Sequence, residues 1–122
     1  MARDREFHDY VMHDAFSGLG GITSRPMFGG YGIYKNGVFF ALIAEGELYF
    51  KVDDINLKFF EELSSAPFVY ESRGKSMTMS YWKLPEEIME NKIELPIWIE
   101  RSVSAALRKG DKDGRRKRKT RS

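Results

Sequence analysis

The sequence has no cysteine. That excludes a disulfide framework and any thiolate metal site, and it fits a protein of the cytoplasm. No apolar run approaches the ~18 residues of a membrane span, and the opening Met-Ala-Arg-Asp-Arg-Glu-Phe-His is too polar for a signal peptide. There is no internal repeat. Only two histidines and four prolines occur, and each proline falls where a regular element is expected to begin, end or lie at an edge.

What is present suits one folded domain: 122 residues, 42% hydrophobic and 14% aromatic. The net charge of +2 conceals an asymmetry. Residues 108–122 hold nine Lys/Arg against two Asp, a net +7, and the other 107 residues hold 11 basic against 16 acidic side chains, a net −5. A mildly acidic globule with a basic tail follows.

The organising stretch is residues 25–52. Asn36-Gly37 is a strong hairpin signal, because a type I′ turn needs positive φ at both central residues. Glu45-Gly46 marks a second turn. Between them Val38-Phe39-Phe40-Ala41-Leu42-Ile43-Ala44 is apolar on both faces, as expected of a buried central strand. Beyond, Leu48, Phe50 and Val52 alternate with Glu47, Tyr49 and Lys51. Ahead, Ile22-Thr23-Ser24-Arg25 is β-capable, but Pro26 has no amide donor, so this piece belongs at an edge or bulge.

Helices are expected on either side. Residues 4–17 carry Phe7, Tyr10, Val11 and Asp14/Ala15 at helical spacing behind an Asp4 N-cap, and Ser17-Gly18-Leu19-Gly20-Gly21 ends that helix. Asp53-Asp54 cap a middle helix whose stripe is Ile55, Phe59, Phe60 and Leu63, stopped by Ser64-Ser65-Ala66-Pro67. Phe68-Val69-Tyr70-Glu71-Ser72 and Met77-Thr78-Met79-Ser80-Tyr81-Trp82 form two strands around Arg73-Gly74-Lys75, with Met77, Met79 and Tyr81 on one face. Pro85 opens a short helix, and Pro96 a last one over about 96–109 with Gly110 as its C′ residue. That helix carries Ile99, Val103 and Ala106, with small Ser102 and Ala105 beside them. The fold expected is α+β: an antiparallel sheet of about five strands, a meander plus a hairpin, with N-terminal, middle and C-terminal helices. It occupies residues 1–110, and residues 111–122 form a disordered basic tail.

Candidate chemistry is sparse. His8-Asp9 and His13-Asp14 suggest a metal, yet five residues on a helix turn the two imidazoles about 140° apart. Asp9 and His13 share a face but supply two ligands, fewer than a metal site needs, so both histidines are expected in solvent. Gly29-Gly30-Tyr31-Gly32 lacks the Lys-Ser/Thr of a phosphate loop and leads into a strand, so its glycines are expected to serve backbone approach or bending. Glu61-Glu62 and Glu86-Glu87 are adjacent pairs that diverge on a helix, and no serine stands in a nucleophile elbow. Tyr34, Tyr49, Tyr70, Tyr81 and Trp82 read as core and sheet-face residues rather than a base-stacking platform, since only Lys35, Lys51, Arg73, Lys75 and Lys83 interleave them. No catalytic, cofactor or metal residue is assigned. In the tail, Arg115, Arg116, Lys117, Arg118, Lys119 and Arg121 are the candidates for sequence-independent phosphate contacts.

Arg25, Met27, Phe28, Gly29, Gly30, Gly32 and Tyr34, the turn at Gly37 and the Tyr49-Phe50-Lys51 end together resemble the N-terminal domain of the TfoX/Sxy family. Matches continue at Pro67-Phe68-Val69-Tyr70, at Met79-Ser80-Tyr81-Trp82-Lys83-Leu84-Pro85 and at Ala105-Ala106, so the resemblance covers roughly residues 7–107. It implies a non-enzymatic regulator of competence gene expression in the bacterial cytoplasm. Such a regulator would contact a protein partner, a cyclic-AMP receptor-type activator or RNA polymerase, and carry no cofactor. Full-length members have a second, helical C-terminal domain, so a stand-alone N-terminal module is the expectation. Nucleic-acid binding through the tail is the alternative. A homodimer is a further expectation, because five strands and few helices leave a face or edge to cover.

Overall fold

The computed structural model describes residues 2–27 and 29–121, with side chains described for residues 5–27 and 29–110. Six strands form one antiparallel sheet: β1 (Ile22–Met27), β2 (Gly30–Lys35), β3 (Val38–Ala44), β4 (Glu47–Lys51), β5 (Pro67–Ser72) and β6 (Lys75–Lys83). Their spatial order is β1-β2-β3-β4-β6-β5, a four-stranded meander extended by a hairpin that enters in reverse. The α+β class is as expected, with one strand more. Residues 22–27 are a full edge strand, and Pro26 is accommodated there because β1 has a neighbour on one side only.

Three hairpins close through two-residue turns with positive φ at both positions: Asn36 and Gly37 (50° and 83°), Glu45 and Gly46 (55° and 76°), Arg73 and Gly74 (53° and 76°). This is the type I′ conformation, whose twist matches that of the strands. In β3 the pairing with β2 slips at Phe40, since Tyr34 faces Phe39 and Ile33 faces Ala41. The bulge sends both Phe40 and Ala41 towards the helices, into the main core, while Phe39 and Leu42 lie on the other side.

Among the described residues, the helices pack on one face. Helix α1 (Ala2–Tyr10) runs directly into a π-turn, Val11–Ala15, closed by Phe16 N–H on the Val11 carbonyl at 2.8 Å. Asp4 therefore lies inside the helix rather than capping it, and the widened turn delivers Val11, Ala15 and Phe16 to the core. Helix α2 (Leu57–Glu62) follows a turn organised by Asn56, which is 1% exposed. Its amide donates to the Lys51 carbonyl and its side-chain oxygen accepts from Asp53 N–H. Phe60 is the buried anchor of α2, with Leu57 and Phe59 beside it. Ile55 and Leu63, expected in that stripe, are exposed, because Ile55 precedes the first helical turn and Leu63 ends the last.

Helix α3 (Glu86–Met89) starts behind Pro85. Helix α4 (Glu94–Arg121) starts two residues ahead of Pro96, because the Asn91 side chain accepts the N–H groups of Ile93 and Glu94. It also continues through Gly110, which is interior rather than a C′ residue; a mid-helix glycine costs only about 1 kcal/mol and its Lys/Arg neighbours favour helix. The side chains of residues 111–122, assigned above to a disordered tail, lie outside those described. Leu95, Trp98, Ile99, Ser102, Val103 and Ala105 make the buried face of α4. Ser102 and Ala105 are fully buried, so small side chains set a close approach of α4 to the sheet. Phe60 meets the Trp98 ring edge-on at 4.8 Å.

Candidate functional site

The other face of the sheet has no helix on it among the described residues. Its cluster consists of sheet residues alone: Leu42, Ala44 and Tyr81 buried, with Phe39, Tyr49, Phe68 and Met79 half-buried around them. Rings lie side by side across the strands, Tyr34 to Phe39 at 5.2 Å, Phe39 to Tyr81 at 5.5 Å and Tyr49 to Phe68 at 4.9 Å. The Arg25 guanidinium stands 6.0 Å from the Tyr34 ring at one border. Lys51 lies at the other end, its ammonium 5.2 Å from the Tyr81 ring and donating to Ser80 Oγ at 2.6 Å. Towards β5, Val69, Tyr70 and Met77 are 45%, 41% and 58% exposed.

Burial sets the electrostatics of this face. It pushes the Tyr81 hydroxyl up to about 12. Burial, then the charges of Glu47 and Glu45, raises Tyr49 as well. Both phenols therefore stay neutral near pH 7 and offer hydrogen bonds rather than charge. Lys51 is lowered, first by desolvation and then by Lys109, with Asp53 opposing. Glu47 and Lys83 pair at 3.2 Å along the margin. The surface is thus broad, aromatic and methionine-rich with little net charge, the composition of the centre of a protein interface.

The motif residues distribute across the sheet. Arg25, Tyr34, Tyr49 and Lys51 share the open face, while Phe50 points into the helical core, fully buried and edge-on to Phe40. Gly29 takes φ +75°. Gly30 is where the β3 backbone passes closest, since an added Cβ would overlap the Ile43 carbonyl. At Gly32 the space is taken by the Met27 thioether and the Phe39 ring. Phe28 lies outside the described residues, as do the side chains of Arg115, Arg116, Lys117, Arg118, Lys119 and Arg121. Met79 lies beside Tyr81 on this face, as their shared spacing with Met77 in β6 implies; Phe39 and Phe68 complete the face and were not singled out from sequence.

The histidines separate. His8 is not in solvent: its side chain is 16% exposed and its ring stacks on Tyr31 at 4.0 Å. Nδ1 donates to Asp9 Oδ1 at 3.0 Å, and Nε2 is hydrogen-bonded to the Ser24 hydroxyl at 2.8 Å. This pins α1 to β1. No trio of His, Asp or Glu is close enough to hold a metal among the described residues, and no described helix is long and apolar enough to cross a membrane.

Comparison with known proteins agrees with the fold's organisation. The TfoX N-terminal domain family matches residues 14–106, from the π-turn to the buried stretch of α4. The chain belongs to this family. Protein Sxy of Escherichia coli (strain K12) is 26% identical over 99 residues, covering 81% of this chain and 47% of the relative. The chain thus spans about half the length of that curated relative. The match takes in all six strands, so the open face is part of the shared domain.

Proposed function

We propose that the chain is a non-enzymatic regulator of competence gene expression, acting in the cytoplasm by docking a protein on the open sheet face. The partner is a cyclic-AMP receptor-type activator or RNA polymerase. The observation that carries this reading is the aromatic–methionine face: Phe39, Tyr49, Phe68 and Met79 remain half-exposed, and no helix among the described residues covers them. Family membership supports the regulatory role.

A second reading keeps the basic tail as a nucleic-acid arm, favoured by the net +7 of residues 108–122. Truncation after Gly110 separates the two. It removes Arg115 to Arg121 and leaves every described core residue in place. Under the first reading, complex formation with purified activator or polymerase survives the cut. Under the second, the intact protein binds duplex DNA with an affinity that falls steeply with salt, and the truncated one binds neither DNA nor protein.

A further inference from the structure

β6 is nine residues long, yet β4 pairs only with its last three: Tyr49 with Lys83, Phe50 with Trp82 and Lys51 with Tyr81. One further bond, from Val52 N–H to the Ser80 carbonyl at 2.9 Å, ends the ladder. There Asn56 and Asp53 turn the chain away into α2. Among the described residues, β6 from Thr78 back to Lys75 is therefore paired on its β5 side alone. The β5–β6 hairpin stands clear of the sheet as a two-stranded arm, and residues 69–78 are all exposed.

Successive peptide groups of a strand point to alternate sides. The two-residue turn at Arg73-Gly74 makes Ser72–Lys75 and Tyr70–Met77 the hydrogen-bonded pairs of the regular β5–β6 register, so the N–H and C=O groups of Ser76 and Thr78 point away from β5, over the notch left where β4 stops. An open ladder of this kind is a template for another strand. A two-stranded ribbon is marginal by itself and gains from a third strand.

The rim of the notch is basic. Lys51 sits on Ser80 Oγ, Lys109 is near enough to act on the Lys51 charge, and Arg73 and Lys75 stand at the arm's tip. Glu71 is the one acid on the arm and accepts from the Ser76 hydroxyl at 3.3 Å. Asp53 is already bound by Arg108.

We propose that the free β6 edge at Ser76 and Thr78 captures an extended acidic segment of a partner protein, adding it as a strand in line with β4. This deepens the reading above and rests on it for the partner being a protein. A second copy of the chain suits the notch poorly. Antiparallel pairing about Met77 brings each arm's Arg73 and Lys75 against Lys51 and Lys109 of the other copy. Nucleic acid suits it poorly too, because phosphate only accepts hydrogen bonds and would leave the two carbonyls unmatched.

The test uses the full chain and a fluorescein-labelled peptide of alternating valine and glutamate, with a valine–lysine peptide as control. Expected are saturable anisotropy with the acidic peptide alone, weakening at about 0.5 M salt, and slowed amide exchange at Ser76 and Thr78. Thr78→Pro removes one edge donor without touching the β5 side, and should weaken binding about tenfold or more. Lys75→Glu keeps the backbone intact and should weaken it too, which covers the case in which the proline variant misfolds. The proposal is overturned if the acidic peptide does not bind, if both variants bind it undiminished, or if the lysine peptide binds as well. Displacement of the peptide by duplex DNA, or sedimentation as a dimer that Thr78→Pro dissolves, also overturns it. Peptide binding with no complex to activator or polymerase refutes the function proposed above and leaves this edge site standing. A complex that forms without peptide binding does the reverse.

Discussion

Arg108 clasps Asp53 through two parallel hydrogen bonds, Nε to Oδ2 at 2.6 Å and Nη2 to Oδ1 at 3.0 Å. The pair joins α4 to the turn that ends β4. Asp53 Oδ1 also accepts the N–H groups of Ile55 and Asn56, so one carboxylate both caps the approach to α2 and anchors α4. Asp53→Ala is therefore expected to destabilise by about 1–2 kcal/mol, through the cap and the pair together. Arg108→Ala, which leaves the cap, should cost about 0.2–1 kcal/mol, since both side chains are partly exposed and solvent weakens the pair. The Arg108 hydrogen bond, with help from the two backbone donors, holds the Asp53 carboxyl below its usual range. Its contribution is then full above the unfolded carboxylate pKa of about 4 and is lost as pH falls through the lower folded value. Urea unfolding should show the wild-type advantage over Asp53→Asn constant from neutral pH to about 5 and shrinking below about 4.

Ser64 occupies a position made for glycine. Its φ is +56°, Ser64 N–H reaches the Glu61 carbonyl at 3.0 Å, and Ser65 N–H reaches that of Phe60 at 3.0 Å. This is a Schellman closure with Ser64 at C′. Ser64→Gly should raise stability by about 0.5–1 kcal/mol, read as a higher urea midpoint at unchanged slope.

Two glycines should fail differently. Gly37→Val puts a β-branched residue at φ +83° in open space, and should cost about 1–3 kcal/mol from backbone strain alone. Gly30→Ala meets the Ile43 backbone carbonyl, which no rotamer can evade, and should cost about 3 kcal/mol. Thermal melts of the two variants compare strain with overlap. An unchanged melting temperature in Gly30→Ala would refute the close passage of β2 and β3.

Ser102 is fully buried and its hydroxyl has no hydrogen-bond partner among the described residues. Ser102→Ala should be neutral or stabilising by about 1 kcal/mol, because an unmatched hydroxyl is removed. Ser102→Leu should destabilise by about 1–3 kcal/mol, since α4 lies too close to the sheet to admit it.

The turns were the most legible part of the chain. Asn36-Gly37, Glu45-Gly46 and Arg73-Gly74 all carry the glycine that their geometry requires. The apolar run of β3 also announced a central strand. That same run hid the open face: with both sides of β3 apolar, nothing local says which side the helices take. The bulge at Phe40 reverses the alternation, and it depends on the register with β2 rather than on any residue of its own. The His8–Ser24 contact was illegible because it joins residues 16 apart through the docking of α1 on an edge strand. The overhang of β6 arises where Asn56 diverts the neighbouring chain, and no pattern within β6 signals it.

The central claim is that the open sheet face docks a protein. Its most direct test is affinity for purified activator and RNA polymerase, measured for the wild type and for Tyr49→Ala/Phe68→Ala, which removes two half-exposed rings in contact at 4.9 Å. The main core lies on the opposite face, so circular dichroism should report an intact fold. The account predicts about tenfold or greater loss of affinity, as expected when aromatic anchors leave an interface centre. A folded double variant that binds both partners as tightly as the wild type would contradict it.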